Sequence, residues 1–197
     1  MPDLPPPPPA IIAPAITAAP GYHELTHTKL QTSGNCAVLA HSHERVGRLS
    51  TPILIRMHDC RLQAENSPVF IISNAQAEIR LTDCHAGHKG SLLLHAQESV
   101  WGQPGFNSAS VRISTANCTL TGDIYVGPNC KVELTLGPSS VWTGTFTGPG
   151  SASLHRHASA TWNSPRHTFS EKMRIASKKT VTEKWMPQNC GHRNFSG

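Results

Sequence analysis

The chain has 197 residues, of which 38% are hydrophobic, 15% charged and 6% aromatic, and 17 Lys and Arg against 12 Asp and Glu give a formal charge of +5. That length supports one domain with a narrow continuous core. The mild basic excess, without a dense Lys/Arg stripe and interleaved aromatics, excludes a specific nucleic-acid binder, and no apolar run approaches the length of a membrane-spanning helix.

Residues 1–20 are rich in Pro and Ala, with an unbroken run from Pro5 to Pro9. Such a run favours polyproline II, so the segment reads as a stiff, disordered lead-in. It lacks the basic start and the uninterrupted apolar stretch of a signal peptide. An extracellular or cell-surface location is therefore expected only for a chain that is part of a longer secreted product.

Residues 21–169 read as the folded domain. All six cysteines follow Asn or Asp, and Asn35-Cys36, Asp59-Cys60 and Asp83-Cys84 recur at an interval of 24 residues. A fixed period of that length marks a stacked repeat. Aligned on the Asx-Cys pair, Ile55, Ile79 and Ile113 stand five residues before the Cys, and Ile53, Ala77 and Val111 stand seven before. Val38, Leu62, Ala86 and Leu120 stand two after. The residues between the first two columns are mostly polar, among them Arg56, Glu78, Arg80 and Arg112. Alternation with period two means strands with one buried face. Apolar runs at Ala37 to Ala40, Val69 to Ile72 and Ser91 to Leu94 supply a second strand per coil.

The stretch from Gln97 to Asn107, with Trp101, Gly102, Pro104 and Gly105, makes one coil ten residues longer and reads as a loop thrown out from a corner. Beyond Cys118 the period continues. Thr119-Leu120-Thr121-Gly122-Asp123 returns as Val141-Trp142-Thr143-Gly144-Thr145, followed by Thr161-Trp162-Asn163, and Gly-Pro corners stand at Gly127, Gly137 and Gly148. The fold expected is all-β, a right-handed parallel β-helix of about five to six coils. Residues 170–197 turn basic, with Lys178-Lys179 and Glu183-Lys184-Trp185, and read either as a helix capping the open end or as a disordered tail.

Residues 65–163, through Glu65-Asn66-Ser67-Pro68-Val69-Phe70, Asn74-Ala75-Gln76-Ala77-Glu78-Ile79, Trp101-Gly102, Thr119 to Ile124 and Ser140 to Thr145, resemble a group of bacterial right-handed β-helix proteins. These are secreted or surface-associated proteins of the pectate-lyase-like fold, mostly of unknown function. The resemblance implies the fold and a surface location, and it carries no catalytic residues to transfer.

The Asx-Cys pairs Asn35-Cys36, Asp59-Cys60, Asp83-Cys84 and Asn117-Cys118 are expected to form a structural ladder on stacked coils. Asx tolerates left-handed backbone at a corner, and the thiols serve as small buried hydrophobes or, in an oxidising compartment, pair between coils. No Cys-x-x-Cys spacing occurs, so no zinc site is expected, and no cofactor. His41/His43 and His155/His157 have a strand spacing that puts both imidazoles on one face, but without a third ligand they read as exposed strand and loop residues.

Two functional readings follow. In the first, the solenoid is a non-enzymatic stalk or adhesin-like module. It meets an anionic polysaccharide or cell-surface glycan through Arg56, Arg80 and Arg112, the loop with Trp101, and Trp142 and Trp162. If outward, the two stacked tryptophans make a sugar-binding strip; if inward, they close the core. In the second, Asp59 and Asp83, one coil apart, act as paired carboxylates of a polysaccharide lyase or hydrolase with Arg80 as the nominal base. Asx at the same position in flanking coils argues for a corner role instead. A third reading is a fragment of a larger repeat protein without independent function.

Overall fold

The computed structural model describes residues 16–33, 36–41, 52–99 and 107–164. Most of the Pro-rich lead-in, Asn35, His43, the 100–106 part of the long loop with Trp101, and the basic C-terminal segment lie outside the described residues.

Within them the secondary structure is all β, without helices. The first strands in chain order are β1 (Ile16–Ala18), β2 (Gly21–Thr26), β3 (Lys29–Thr32), β4 (Val38–His41), β5 (Ile53–His58), β6 (Arg61–Ala64) and β7 (Phe70–Ser73). There follow β8 (Gln76–Thr82), β9 (His85–Gln97), β10 (Ser110–Ala116), β11 (Thr119–Val126) and β12 (Lys131–Leu136). The last are β13 (Val141–Thr143), β14 (Phe146–Thr147), β15 (Ser151–Arg156) and β16 (Thr161–Asn163).

Every pairing between them is parallel. The pairings sort into three stacks. β2, β5, β8, β10, β12 and β15 form a six-stranded sheet. In the ten-stranded sheet, β3, β6, the first half of β9, the first part of β11, β13 and β16 make one stack. The other stack is β1, β4, β7, the second half of β9, the rest of β11, and β14. The chain visits the stacks in a fixed order, compatible with a β-solenoid, in which parallel neighbours are one circuit apart in sequence.

Alternation explains the strands. β8 reads Gln-Ala-Glu-Ile-Arg-Leu-Thr, and Ala77, Ile79 and Leu81 are buried while Gln76, Arg80 and Thr82 face water. Each inward position continues through the next coil. Ile53, Ala77, Val111, Val132 and Ala152 form one column, and Ile55, Ile79, Ile113, Leu134 and Leu154 another. Opposite them stands the column Val38, Phe70, Leu94, Ile124 and Phe146. Burying each Ile or Leu is worth about 1.5–3 kcal/mol, so the core is a sum of many similar contributions along the stack.

One expected alignment is corrected. Leu62, Ala86 and Leu120 do share a column, but the residue paired with Leu62 in the preceding coil is Leu30, whereas Val38 pairs with Phe70 in another stack. Cys36 therefore does not stand above Cys60. The 24-residue interval from Cys36 is numerical coincidence, because the coil that begins at His27 spans 32 residues before the equivalent corner, Asp59.

Candidate functional site

The corner between the six-stranded sheet and the β3–β6–β9 stack carries the Asx ladder. His27, Asp59, Asp83, Asn117 and Ser139 occupy it on successive coils with φ of 50, 50, 55, 53 and 55°. A left-handed residue turns the chain sharply, and Asn and Asp tolerate that backbone best among residues with a side chain. The backbone N–H of each corner residue donates to the next coil: His27 to the His58 carbonyl at 3.0 Å, Asp59 to Thr82 at 3.0 Å, Asp83 to Ala116 at 3.0 Å and Asn117 to Pro138 at 2.8 Å. Asn74 and Asn129, with φ of 47 and 55°, serve the return corner into the six-stranded sheet.

The side chains of the ladder hold one another. His27 Nδ1 lies 2.7 Å from Asp59 Oδ2, Asn117 Nδ2 donates to Asp83 Oδ1 at 2.6 Å, and His58 Nδ1 lies 3.5 Å from Asp83 Oδ2. The nominal base of the enzymatic reading points elsewhere: Arg80 Nε donates to Glu78 Oε1 at 2.6 Å. Each carboxylate is thus engaged by groups from neighbouring coils, and the Arg80 guanidinium is committed to its own strand.

Directly after this corner each coil places a small side chain, buried at Cys60, Cys84, Cys118 and Ser140 and half-buried at Thr28. Thr28, Cys60, Cys84, Cys118 and Ser140 stack, because the residue following each coil's member donates its N–H to the carbonyl of the coil before: Arg61 to Thr28, His85 to Cys60, Thr119 to Cys84 and Val141 to Cys118. Each thiol donates back to the carbonyl two residues earlier: Cys60 to His58 at 3.3 Å, Cys84 to Thr82 and Cys118 to Ala116 at 3.1 Å. The Asx-Cys dipeptide is thereby a corner unit, a left-handed turn followed by a thiol that closes the turn from inside. At the return corner Cys130 instead ties coils together, its Sγ accepting the Ala109 N–H at 3.3 Å.

The described cysteines are all free and buried. Burial pushes the Cys60 and Cys130 thiols up, and Cys36 to about 11. Cys84 is raised by its hydrogen bond with Cys118 and by burial. A thiol whose folded pKa exceeds its unfolded value stabilises the fold below the unfolded pKa, and that contribution is lost as pH rises through the folded one. The urea midpoint is accordingly expected to hold up to about pH 9 and to fall toward pH 11, with Cys36→Ala flattening the decline. Iodoacetamide at pH 8 is expected to label these thiols only after unfolding.

The outer face of the six-stranded sheet carries continuous rows of outward side chains. One row reads Tyr22, Leu54, Glu78, Arg112, Glu133 and Ser153, and the next reads Glu24, Arg56, Arg80, Ser114, Thr135 and His155. Tyr22 is half exposed and the Arg56 guanidinium lies over its ring, 5.4 Å from the centroid. Arg112 is 76% exposed, with Nε 3.9 Å from Glu133 Oε2. The three arginines thus climb across consecutive coils, with Glu78 and Glu133 beside them. His155 Nε2 lies 3.6 Å from Glu133 Oε1, and His157 Nδ1 lies 2.8 Å from Ser159 Oγ.

A tryptophan strip on the surface is ruled out at Trp142, whose side chain has no exposure. Its ring stacks on the partly buried Trp162 at 5.7 Å and 9°, meets Phe146 edge-on at 4.9 Å, and its Nε1 donates to the Gly122 carbonyl at 3.0 Å. Trp142 shares the inward column of Leu62, Ala86 and Leu120. The two rings close the core toward its last coil.

Comparison with known proteins is negative throughout. No family model, no curated protein and no solved structure matches the chain. Among the described residues no three His, Cys, Asp or Glu side chains converge to hold a metal ion, and no helix is long and apolar enough to cross a membrane.

Proposed function

We propose that the chain is a right-handed parallel β-helix of five to six coils, acting as a non-enzymatic extracellular or surface module. Its outer sheet face contacts an anionic polysaccharide or cell-surface glycan. Right-handedness follows from the rule that parallel crossovers take that hand almost without exception. The observation that carries the functional reading is the outer face on which Arg56 and Arg112, to either side of the Glu78-bound Arg80, rise coil by coil beside exposed Tyr22. Coils spaced about 4.8 Å apart offer a linear polymer a row of donors at a fixed repeat. Arginine suits carboxylate and sulfate groups because its fork matches their geometry. The contact of Arg112 with Glu133 is long and exposed, worth at most about 1 kcal/mol, so a polymer anion displaces it at little cost.

The enzymatic alternative is disfavoured by the engagement of Asp59 with His27 and of Asp83 with Asn117. Replacing both aspartates by Asn is expected to leave polysaccharide retention unchanged and to move stability by about 1 kcal/mol or less, since Asn fits the left-handed corner as it does at position 117. Incubation with polyuronates, followed by gel filtration of the polymer, is expected to return it at full length with either protein. Shortening by the wild type and not by the double variant would restore the lyase reading.

A further inference from the structure

We propose that His27 and His58 form a divalent transition-metal site of their own, a pair of imidazoles on adjacent coils that takes an ion of the zinc class with water completing its coordination. This is independent of any glycan contact on the outer sheet face.

A carboxylate only accepts, so the Nδ1 that faces it carries the proton and the Nε2 lone pair of the neutral ring is left free. His27 is hydrogen-bonded in this way, while His58 faces its carboxylate at a longer, ion-pair distance. His27 Nδ1 is 2.7 Å from Asp59 Oδ2, and His58 Nδ1 is 3.5 Å from Asp83 Oδ2. At His27 this carboxylate–imidazole arrangement is the one that supports metal-binding histidines by fixing the tautomer and ring orientation. The supports are themselves fixed: both aspartates sit at left-handed corners held by backbone hydrogen bonds to the next coil, and Asn117 donates to Asp83 at 2.6 Å.

The rings are also the right distance apart. Their centroids are separated by 6.0 Å with planes at 70°. An ion bound at about 2.0–2.1 Å from each nitrogen lies about 3.2 Å from each ring centroid, so two imidazoles sharing it stand roughly 5–6.5 Å apart. The imidazoles are well exposed, at 73% and 52%, so an ion reaches them without opening the fold. Imidazole nitrogen selects zinc, copper or nickel over calcium and magnesium. Bound across two coils, the ion clips the corner of the first coil to the second.

The test is a calorimetric titration of the untagged, chelator-stripped full chain with Zn2+ alone at pH 7.5. The expected result is a saturable step of one ion per chain. His27→Asn, which keeps a residue suited to the left-handed corner, and His58→Gln should each weaken it at least tenfold, while His155→Gln/His157→Gln leaves it unchanged. Asp59→Asn, which keeps both imidazoles and the corner, should weaken it by about tenfold. Absence of a saturable step, or a step that survives either single histidine substitution in a chain whose circular dichroism is native, overturns the site. Unchanged affinity in Asp59→Asn overturns the part assigned to its carboxylate.

Discussion

Trp142→Ala is expected to destabilise the protein by about 3–5 kcal/mol, the range for removing a fully buried large aromatic side chain. Three contacts disappear together: the stack on Trp162, the edge contact with Phe146 and the hydrogen bond to the Gly122 carbonyl. The last matters beyond its own strength, since a buried carbonyl that loses its partner costs a further 1–3 kcal/mol unless water replaces it. Trp142→Phe separates the two effects by keeping an apolar ring while deleting the donor, and it is expected to cost about half as much. Urea denaturation followed by far-ultraviolet circular dichroism measures both. A loss of glycan retention by Trp142→Ala at unchanged stability would contradict the inward placement of this ring.

Gly87→Ala is expected to cost about 3 kcal/mol or more, by a mechanism unrelated to burial. Gly87 has φ of 109°, and a Cβ there would come within 1.7 Å of the Thr121 carbonyl oxygen and 2.7 Å of its carbon. Those are backbone atoms of the adjacent strand β11 and do not rotate away. Gly87 is also the last residue before the β9–β11 register shifts, from Gly87 opposite Thr121 to Leu92 opposite Asp123. The long strand bends there from one stack into the next. Gly21 provides the control, with φ of 127° and nothing within 4 Å of an added Cβ. Gly21→Ala is expected to show backbone strain alone, about 1–2 kcal/mol. Equal costs at the two positions would mean that the close approach of β9 and β11 contributes nothing.

The parallel, stacked character of the fold is legible where alternation is long. Seven residues of β8 and seven of β10 carry an unambiguous in–out pattern, and so the columns through Ile53 and Ile55 are read in their observed register. Short strands are where reading fails. β13 has three residues, too few for a period, so the inward direction of Trp142 is visible only through its column neighbours Leu120, Ala86 and Leu62, all apolar. The misplacement of Cys36 has a different origin. Aligning on cysteine assumes one thiol per coil at one corner, whereas the first coil puts His27 and Thr28 at the Asx-Cys position and Cys36 at a later corner.

The histidine pair carried no signal that sequence alone makes visible. His27 and His58 are remote along the chain and sit in unlike local patterns, one at a corner and one at a strand end. Only the observed pairing of β2 with β5 brings them together. The arginines of the outer face are the opposite case. Their positions between the inward columns fix their side of the sheet, although the engagement of Arg80 by Glu78 follows only from the side-chain geometry.

The most direct test of the central claim is co-sedimentation of the purified chain with insoluble or cross-linked polysaccharides, acidic and neutral, with the polymer sized afterwards. The account predicts retention on the acidic polymer at low salt, release as ionic strength shortens the screening length to about 3 Å near 1 M, and an intact polymer. It also predicts loss of retention in Arg56→Ala/Arg112→Ala at unchanged stability. Shortened polymer, equal retention on the neutral polymer, or retention that survives the double arginine substitution would contradict it.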